Sequence, residues 1–465
     1  MTSSTPLADA GAALSPLDGR YRPVVAPLVE HLSEAALNRE RLRVEVEWLV
    51  HLCATGAVPG ARVLGAEEVQ RLRGLVARFG PDDVAELAAI ERETVHDVKA
   101  VEYYLRRRLA GTPTADVAEL VHFCLTSEDV NNLAHALMLR GGVQRVWLPA
   151  ARALHADLVA MAREHAHLPM LARTHGQPAT PTTLGKELAV FAARLDRQLR
   201  RVEGAEHLGK LNGATGTYAA HAVAVPGTDW QEVSRTFVEG LGLTWNPLTT
   251  QIEPHDWQAE LYSDLARANR VLHDLCTDTW AYISLGYFVQ VRGQGSVGSS
   301  TMPHKVNPIR FENAEANLEV STALLDVLAA TLVTSRLQRD LSDSSMQRNA
   351  GTAIGHSLLA VDNTRRGLAG LDADPAALAA DLDANWEVLG EAVQSVMRAA
   401  AVAGAPGMAN PYERLKDLTR GRRVDAEGLR AFVTGLGLPD DAERRLLALT
   451  PAGYTGYAER LVGHL

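Results

Sequence analysis

Aromatic side chains and long apolar runs are scarce in this chain. Only 5% of the 465 residues are aromatic although 46% are hydrophobic, so a core must be built mainly from aliphatic side chains. Its alanine-rich stretches favour close-packed helices. No apolar run reaches the length needed to cross a membrane. The N-terminal segment lacks the cationic start and apolar centre of a secretory signal.

Cysteine is also scarce, and acidic residues outnumber basic ones. The three cysteines, Cys53, Cys124 and Cys276, are far apart and have no metal-ligand spacing. A reduced, cytoplasmic location is therefore the default expectation. No His-x-x-x-His pair or clustered acidic loop indicates a metal site. The formal net charge of −10 argues against sequence-independent binding of nucleic acid, which requires a basic face.

Apolar residues recur at three- and four-residue intervals over much of the chain, for instance along residues 184–199. This spacing predicts amphipathic helices. The patterns at 256–288 and 311–340 exceed the usual length of a globular helix, which suggests a bundle with interfaces on several faces. No alternating pattern requires a large sheet. We therefore expect an all-α subunit with a central bundle of long helices.

Two breaks divide this helical pattern. Gly and Pro residues interrupt it at 111–114 and again at 367–375. We predict an N-terminal helical domain over residues 1–112, a central long-helix bundle over 113–366 and a C-terminal helical domain over 367–465. Shorter helices are predicted at 29–54, 83–109 and 115–140, whereas the proline-rich segment 169–183 should be irregular.

Residues 293–319 carry the densest group of polar and special residues, GQGSVGSSTMPHKVNPIRFENAEANLE. The glycines predict a mobile loop, and two prolines stiffen the part that carries Lys305 and Asn307. A flexible segment with Ser299 and Ser300 thus runs into a stiff segment with one cation and one amide. That order is suited to a lid that closes over an anion.

Two better-known motifs are nearly matched in this stretch. Gly293, Gly295 and Gly298 fit the dinucleotide fingerprint, but that motif needs a strand before it and a helix opening within it. Here a long helical pattern precedes the glycines. A nucleophile elbow around Ser299 would need a second glycine and a sheet. We therefore reject both a nucleotide cofactor and a serine hydrolase.

Other polar residues leave alternatives open. His175 lies in a proline-rich turn, where a role as general acid or base is favoured over a solvated histidine. His96, followed by Asp97, could have its ring tautomer held by that carboxylate or could cap a helix. Arg336 and Arg339 could bind phosphate or carboxylate, or lie on a solvated helix face.

The stretch from Ser299 to Asn307, SSTMPHKVN, resembles the signature of the fumarase/aspartase superfamily, whose members eliminate fumarate from a succinyl group. The resemblance covers about residues 15–460 and is nearest to the branch with a nucleotide substrate. It also rests on TVHDVKAVEYYL at 94–105, HFCLTSEDVNNLAHALML at 122–139, RTHGQPATPTTLGKE at 173–187, WNPLTTQIEPHD at 245–256, RLQRDLSDSSMQRN at 336–349 and NWEVL at 385–389.

This resemblance implies a mostly helical, three-domain subunit in a homotetramer whose active sites each draw on three subunits. No metal or organic cofactor is implied. Ser299 matches the superfamily's base and His175 its general acid, with His96 as a second histidine close to the substrate. Removing a proton next to a carboxylate places charge on that carboxylate, so fixed donors such as Lys305 and Asn307 are needed there.

The resemblance implies a wider set of contacts to the nucleotide, its phosphate and the succinyl group. These residues are Arg20, Tyr21, Asp97, Thr126, Ser127, Gln251, Ser300, Asn307, Asn313, Arg339, Ser344 and Arg348. Val95 departs from the pattern, because relatives often have asparagine there and valine offers no side-chain hydrogen bond.

Two alternatives remain. Other branches of the superfamily, such as argininosuccinate lyase, fumarase and aspartase, are disfavoured by the MPHKVNP and QIEPHD segments. A catalytically idle structural protein of the same fold is disfavoured by the presence of Ser299, His175, Lys305 and Asn307. The expected partners are a small nucleotide substrate and further copies of this chain, with no nucleic acid or membrane.

Overall fold

The computed structural model describes residues 13–290, 306–408, 410–419 and 424–465. The strands within these ranges are two or three residues long and pair only in two-stranded ladders. The all-α fold class is therefore confirmed. Contacts divide the chain into two compact units. Unit 1 comprises residues 1–152, 198–270 and 316–362, and unit 2 comprises 153–197, 271–315 and 363–465. The three domains predicted from the sequence stay a prediction.

The helices in the first part of the chain are short or of medium length. They are α1 (Arg22–Leu32), α2 (Glu34–Thr55), α3 (Ala66–Ala77), α4 (Pro81–Thr94), α5 (Asp97–Leu109), α6 (Ser127–Gly142), α7 (Leu148–Glu164), α8 (Leu184–Glu203), α9 (Ala219–Ala224) and α10 (Trp230–Gly240).

Longer helices dominate the next part, and shorter ones follow near the C-terminus. They are α11 (Asp256–Ser284), α12 (Ile309–Leu332), α13 (Ser342–Gln347), α14 (Ala350–Leu368), α15 (Pro375–Asp383), α16 (Gly390–Val402), α17 (Pro411–Thr419), α18 (Ala426–Thr434), α19 (Asp440–Leu447) and α20 (Ala458–Leu461). Helices α7, α8, α11, α12 and α14 each contribute residues to both units.

The strands in the described part of the chain form four small ladders. The segment 169–183, predicted to be irregular, contains two of them. They are β1 (Pro169–Met170) with β4 (Thr182–Thr183), β2 (Arg173–Thr174) with β3 (Gln177–Pro178), β5 (Leu208–Gly209) with β6 (Thr244–Trp245), and β7 (Phe288–Gln290) with β8 (Leu371–Ala373). Of the strand pairs in the described residues, β5–β6 alone is parallel.

Several predicted helix boundaries are wrong. The pattern at 29–54 is two helices, because Ser33 adopts an extended conformation and its Oγ accepts a hydrogen bond from Ala36 N at 3.1 Å. The pattern at 115–140 is helical in α-form only from Ser127 onward. Helix α12 ends at Leu332, not near 340. Arg336 and Arg339 therefore do not share a helix face.

Aliphatic cores fill both units, as the composition predicts. In unit 1, α2, α3, α4 and α5 enclose a buried cluster that includes Leu42, Leu49 and Leu105. In unit 2, the C-terminal helices enclose another cluster around Leu389 and Met397. Among the described residues, no helix combines the length and apolarity that crossing a membrane requires. Packing in these cores fixes the helices whose ends carry the candidate site residues.

The helix predicted at 83–109 is interrupted at Val95, which ends α4 in the left-handed conformation with φ 52° and ψ 31°. A β-branched residue is strained there, whereas glycine and asparagine are tolerated. Its side chain is 89% exposed, so it contributes little to packing. The break turns the chain so that His96 begins the next helix.

We expect Val95→Asn and Val95→Gly to raise the free energy of unfolding by about 1 kcal/mol, because each relieves left-handed strain. Val95→Ala keeps the Cβ and lacks the local hydrogen bond that asparagine can make, so it serves as the control and should gain less. Melting temperatures of the three variants and the parent provide the measurement. A lower melting temperature for Val95→Asn would contradict the strain argument.

Candidate active site

His96 and Asp97 lie at the start of α5 in unit 1. The Nδ1 atom of His96 accepts a hydrogen bond from Lys99 N at 3.2 Å, so the histidine caps the helix. Capping was one of the two alternatives left open by the sequence. In the neutral ring an accepting Nδ1 leaves the proton on Nε2. The side chain is 51% exposed, so the capped ring is also accessible to a ligand.

Two arginines share the Asp97 carboxylate. Arg41 Nη2 donates to Asp97 Oδ2 at 2.6 Å, and Arg348 Nη2 lies 3.7 Å from the same oxygen. Burial alone would raise the pKa of Asp97. The charge of Arg41 and hydrogen bonds from Val98 N–H and Arg41 outweigh burial, so the pKa is held below its ordinary value. Asp97 is therefore an ionised anchor for both guanidinium groups.

Arg348 makes further contacts in unit 1. Its Nη1 donates to Ser344 Oγ at 2.7 Å, and its Nε lies 2.9 Å from Glu34 Oε1. The side chain remains 36% exposed. The structure thus brings together Asp97, Ser344 and Arg348, three of the residues predicted to contact substrate.

A second pair of predicted residues meets at a cavity of about 440 Å³. Arg339 Nη1 donates to Gln251 Oε1 at 3.3 Å, and Gln251 Nε2 donates to Ala214 O at 2.8 Å. Both side chains line the cavity, together with Thr215. One guanidinium and one amide at such a cavity can bind an anion and a neighbouring hydrogen-bonding group.

Behind Arg339 lies a carboxyl group that the sequence did not single out. Glu128 is buried, and its Oε2 is 3.3 Å from Arg339 Nη2. Its Oε1 has no hydrogen-bond partner among the described residues. Burial raises the pKa of Glu128 to about 7, against the opposing charge of Arg339.

Glu128, His255 and Asp343 form a buried group whose possible ligand atoms lie within 4.8 Å of one another. That spacing would admit a divalent ion in principle. However, Arg339 already supplies positive charge 3.3 Å from Glu128, and His255 Nε2 lies 3.4 Å from Asp343 Oδ2. We therefore assign no metal to this group.

Thr126 and Ser127 lie at the N-terminus of α6. Asp129, in the first turn, accepts hydrogen bonds from Thr126 N at 2.8 Å, Asn212 N at 3.0 Å and Gly213 N at 3.2 Å. Lys210 Nζ lies 2.8 Å from the same carboxylate, and both side chains are 0% exposed. This buried ion pair fixes the turn that carries the two hydroxyl residues.

Arg20 and Tyr21 lie just before α1 in unit 1. The Arg20 guanidinium carbon is 5.9 Å from the centroid of the Tyr21 ring. Tyr21 packs against a small buried cluster formed by Leu17, Val25 and Leu359. The ring is therefore anchored by apolar contacts, and it supports the arginine beside it.

His175 lies in unit 2, at the tip of the hairpin that joins β2 to β3. Thr174 pairs with Gln177, and the two residues between them have positive φ, 53° for His175 and 75° for Gly176. Two-residue hairpin turns of this type require positive φ at both central positions. The tip is exposed, so His175 is presented on a tight turn and not packed in a core.

The remaining predicted residues surround the start of α12. Asn307 is exposed and lies two residues before the helix. Asn313 lies in the first turns of α12, where its Oδ1 accepts a hydrogen bond from Asn363 Nδ2 at 2.9 Å. Ser299, Ser300 and Lys305 lie outside the described residues.

Three residues of this site were missed in the sequence: Arg41, Glu128 and Lys210. Arg41 is in the middle of α2 and looks like a surface residue by spacing. Glu128 is in the first turn of α6, where an acidic residue normally complements the helix dipole. Only their burial distinguishes them, and the partners that permit burial of these charged side chains, such as Asp97 for Arg41, are distant in sequence.

The buried Glu128 carboxyl predicts a pH-dependent stability. Its folded pKa of about 7 is above the ordinary value of 4.5 for a glutamate, so its contribution to stability is complete below the lower value and is lost as pH rises through the higher one. The loss amounts to about 3 kcal/mol at most. Glu128→Gln should therefore flatten the fall in melting temperature between pH 5 and 8.

Glu67→Gln, at an exposed position on α3, is the matched control and should keep the parental pH dependence. Equal slopes for the parent and Glu128→Gln would show that this carboxyl does not titrate differently in the folded state.

The chain matches known protein families over most of its length. The profile of a family described as "Lyase" matches residues 19–320, and one described as "Adenylosuccinate lyase C-terminal" matches residues 335–455. The chain is 48% identical over 454 residues to adenylosuccinate lyase from Escherichia coli K12, covering 97% of this chain and 98% of the relative. It is 47% identical over 455 residues to the Vibrio cholerae enzyme of the same name, with the same coverage.

Solved structures share the fold at lower identity. A fumarate lyase from Mesorhizobium sp. BNC1 superposes with a TM-score of 0.75 at 21% identity, covering 94% of this chain and 96% of that one. A 3-carboxy-cis,cis-muconate lactonizing enzyme from Pseudomonas putida gives 0.72 at 22% identity, with 94% and 95% coverage. The two family profiles and the full-length relatives place the chain in the adenylosuccinate lyase family of the fumarase/aspartase superfamily.

Proposed function

We propose that this chain is a carbon–nitrogen lyase that eliminates fumarate from adenylosuccinate to give AMP. The same site would convert succinyl-aminoimidazole-carboxamide ribotide to aminoimidazole-carboxamide ribotide, so that the enzyme serves purine nucleotide biosynthesis twice. The observation that carries this proposal is the 48% identity to an adenylosuccinate lyase over 97% of the chain.

The elimination needs one base and one acid. Ser299 takes a proton from the succinyl carbon next to a carboxylate, and the electron pair left behind forms the double bond of fumarate. The C–N bond breaks, and His175 gives a proton to the departing nitrogen. A serine hydroxyl is too weakly acidic to act as a base unaided, so it needs a cation nearby, and Lys305 in the same signature supplies one.

Negative charge accumulates on the succinyl carboxylate during proton removal. Lys305 and Asn307 are the proposed donors to it, with the hydroxyls of Thr126 and Ser127 as further donors. The N-terminus of α6 adds a positive partial charge at Thr126 and Ser127, and the buried Asp129–Lys210 pair holds that turn in place. His96 is the second histidine next to the substrate.

The nucleotide and its phosphate are proposed to bind to the arginines of unit 1. Arg339 with Gln251, and Arg348 with Ser344, each combine a guanidinium with a neutral hydrogen-bonding side chain. Such pairs suit a phosphate flanked by sugar or base atoms. Arg20, Tyr21, Asp97, Ser300 and Asn313 complete the proposed set of substrate contacts.

The assembly is proposed to be a cytoplasmic homotetramer with active sites shared between subunits. The proposed acid His175 belongs to unit 2, whereas the proposed phosphate arginines belong to unit 1. A site that draws on several copies of the chain would supply all of these groups to one substrate.

The reaction and the acid can be tested together. Purified parent protein should shift the ultraviolet spectrum of adenylosuccinate toward that of AMP. His175→Ala should lower kcat by about 10² to 10⁴, the usual contribution of a general acid, with the melting temperature unchanged because the hairpin tip is exposed.

A parent protein without this spectral change would refute the lyase assignment. If His175→Ala retains more than about a tenth of the parental kcat, the acid is another residue.

Shared sites predict complementation. His175→Ala and Ser299→Ala proteins should each be inactive. After unfolding and reassembly as a mixture they should recover part of the parental activity, because some mixed sites then hold both intact residues. Activity against mixing ratio, with light scattering for the assembly state, is the measurement. Each variant reassembled alone is the control. A monomeric parent, or no recovery in any mixture, would oppose shared sites.

A further inference from the structure

Two residues before His175, the Arg173 side chain belongs to a closed ring of hydrogen bonds within unit 2. Its Nη1 donates to Tyr287 Oη at 2.6 Å, and its Nη2 donates to Asp381 Oδ2 at 2.6 Å. The Tyr287 hydroxyl in turn donates to the same Asp381 oxygen. Each of the three side chains thus contacts the other two.

The ring joins three elements that are distant in sequence. Arg173 is in β2, Tyr287 lies between α11 and β7, and Asp381 is in the last turn of α15. Tyr287 is 1% exposed, and its backbone oxygen accepts a hydrogen bond from Asp374 N at 2.9 Å. Asn385 Nδ2 donates to Asp381 O at 2.7 Å. Tyr287 and Asp381 are therefore fixed by contacts of their own.

The hairpin beyond Arg173 has much less support. Residues 174–178 are exposed, whereas Arg173 is half-buried. The strands contribute only two residues each, and an isolated two-stranded hairpin is marginally stable in water. His175 and Gly176 both have positive φ at the turn. The direction of the imidazole thus depends on what holds the base of the hairpin.

The chemistry of the ring suits a rigid anchor. A guanidinium presents its donors in a fixed plane and can bind two acceptors at once. Burial, followed by the hydrogen bond with Asp381, raises the pKa of Tyr287 to about 12, so its hydroxyl stays protonated and remains a donor. The Arg173–Asp381 contact is charge-assisted, which makes it shorter and stronger than a neutral hydrogen bond.

We propose that Arg173, Tyr287 and Asp381 are positioning residues that aim the His175 hairpin. This inference rests on the proposed role of His175 as general acid. Proton transfer demands close alignment, and a displacement of about 1 Å can lower a rate about 100-fold. Loosening the ring should consequently lower kcat and leave substrate affinity unchanged.

Tyr287→Phe is the sharpest test, because it removes one hydroxyl and keeps the buried ring. We expect kcat to fall about 10-fold to 100-fold, with KM within about twofold and the melting temperature close to that of the parent. Arg173→Lys should behave alike, since an ammonium lacks the planar fork needed to bind both acceptors. Asp274→Asn, which alters another arginine–aspartate contact of unit 2, Arg194–Asp274 at 2.5 Å, is the matched control and should keep parental kcat.

A double-mutant cycle separates positioning from a purely structural role. The His175→Ala variant is assayed at enzyme concentrations high enough to measure a rate about 10⁴-fold below that of the parent. Adding Tyr287→Phe to this variant should change its kcat less than twofold. The proposal is overturned if Tyr287→Phe lowers kcat equally in both backgrounds, raises KM alone, or has no effect while His175→Ala is inactive.

The same series keeps the two hypotheses apart. A nearly active His175→Ala would remove the acid assignment and the positioning role with it. If His175→Ala is inactive but Tyr287→Phe does not change kcat, the positioning role is refuted and the acid assignment is kept.

Discussion

The buried ion pair between Asp129 and Lys210 organises the part of unit 1 that carries Thr126 and Ser127. The Asp129 carboxylate is buried, accepts three backbone N–H groups and pairs with Lys210. Those contacts join the start of α6 to the loop after β5. Removing one partner of a buried pair leaves an uncompensated charge and typically costs about 3 to 5 kcal/mol. The positions of Thr126, Ser127 and the loop after β5 depend on these contacts.

Three of the candidate site residues lie at or just before the N-terminus of a helix. His96 caps α5, Thr126 precedes α6, and Asn307 precedes α12. Helix N-termini present N–H groups and a positive partial charge. These positions supply positive partial charge near the proposed contacts to carboxylates and phosphate, while the apolar stripes of the same helices are buried in the cores. The helical architecture thus supplies both the rigid support and part of the electrostatic field.

Much of the fold could be predicted from the sequence, because the spacing of apolar residues indicates which helix faces are buried. The helical class, the aliphatic cores and the grouping of Asp97, Ser344 and Arg348 were all accessible from patterns and resemblance. The break at Val95 was not, since valine gives no turn signal and only the left-handed φ reveals it. The end of α12 at Leu332 also lacks a glycine or proline. Glu128 was missed because burial in a folded core is a tertiary property.

Three arginines near the proposed site already have carboxylate partners. Arg339 contacts Glu128, Arg348 contacts Glu34 and Asp97, and Arg41 contacts Asp97. An anionic ligand that reaches Arg339 or Arg348 thus competes with a carboxylate already in place and displaces few mobile counterions. Ionic strength should consequently affect its affinity less than it would at a surface of unpaired arginines. Neutral molecules of similar shape should compete poorly with such a ligand, because they carry no negative charge to replace that of the carboxylate.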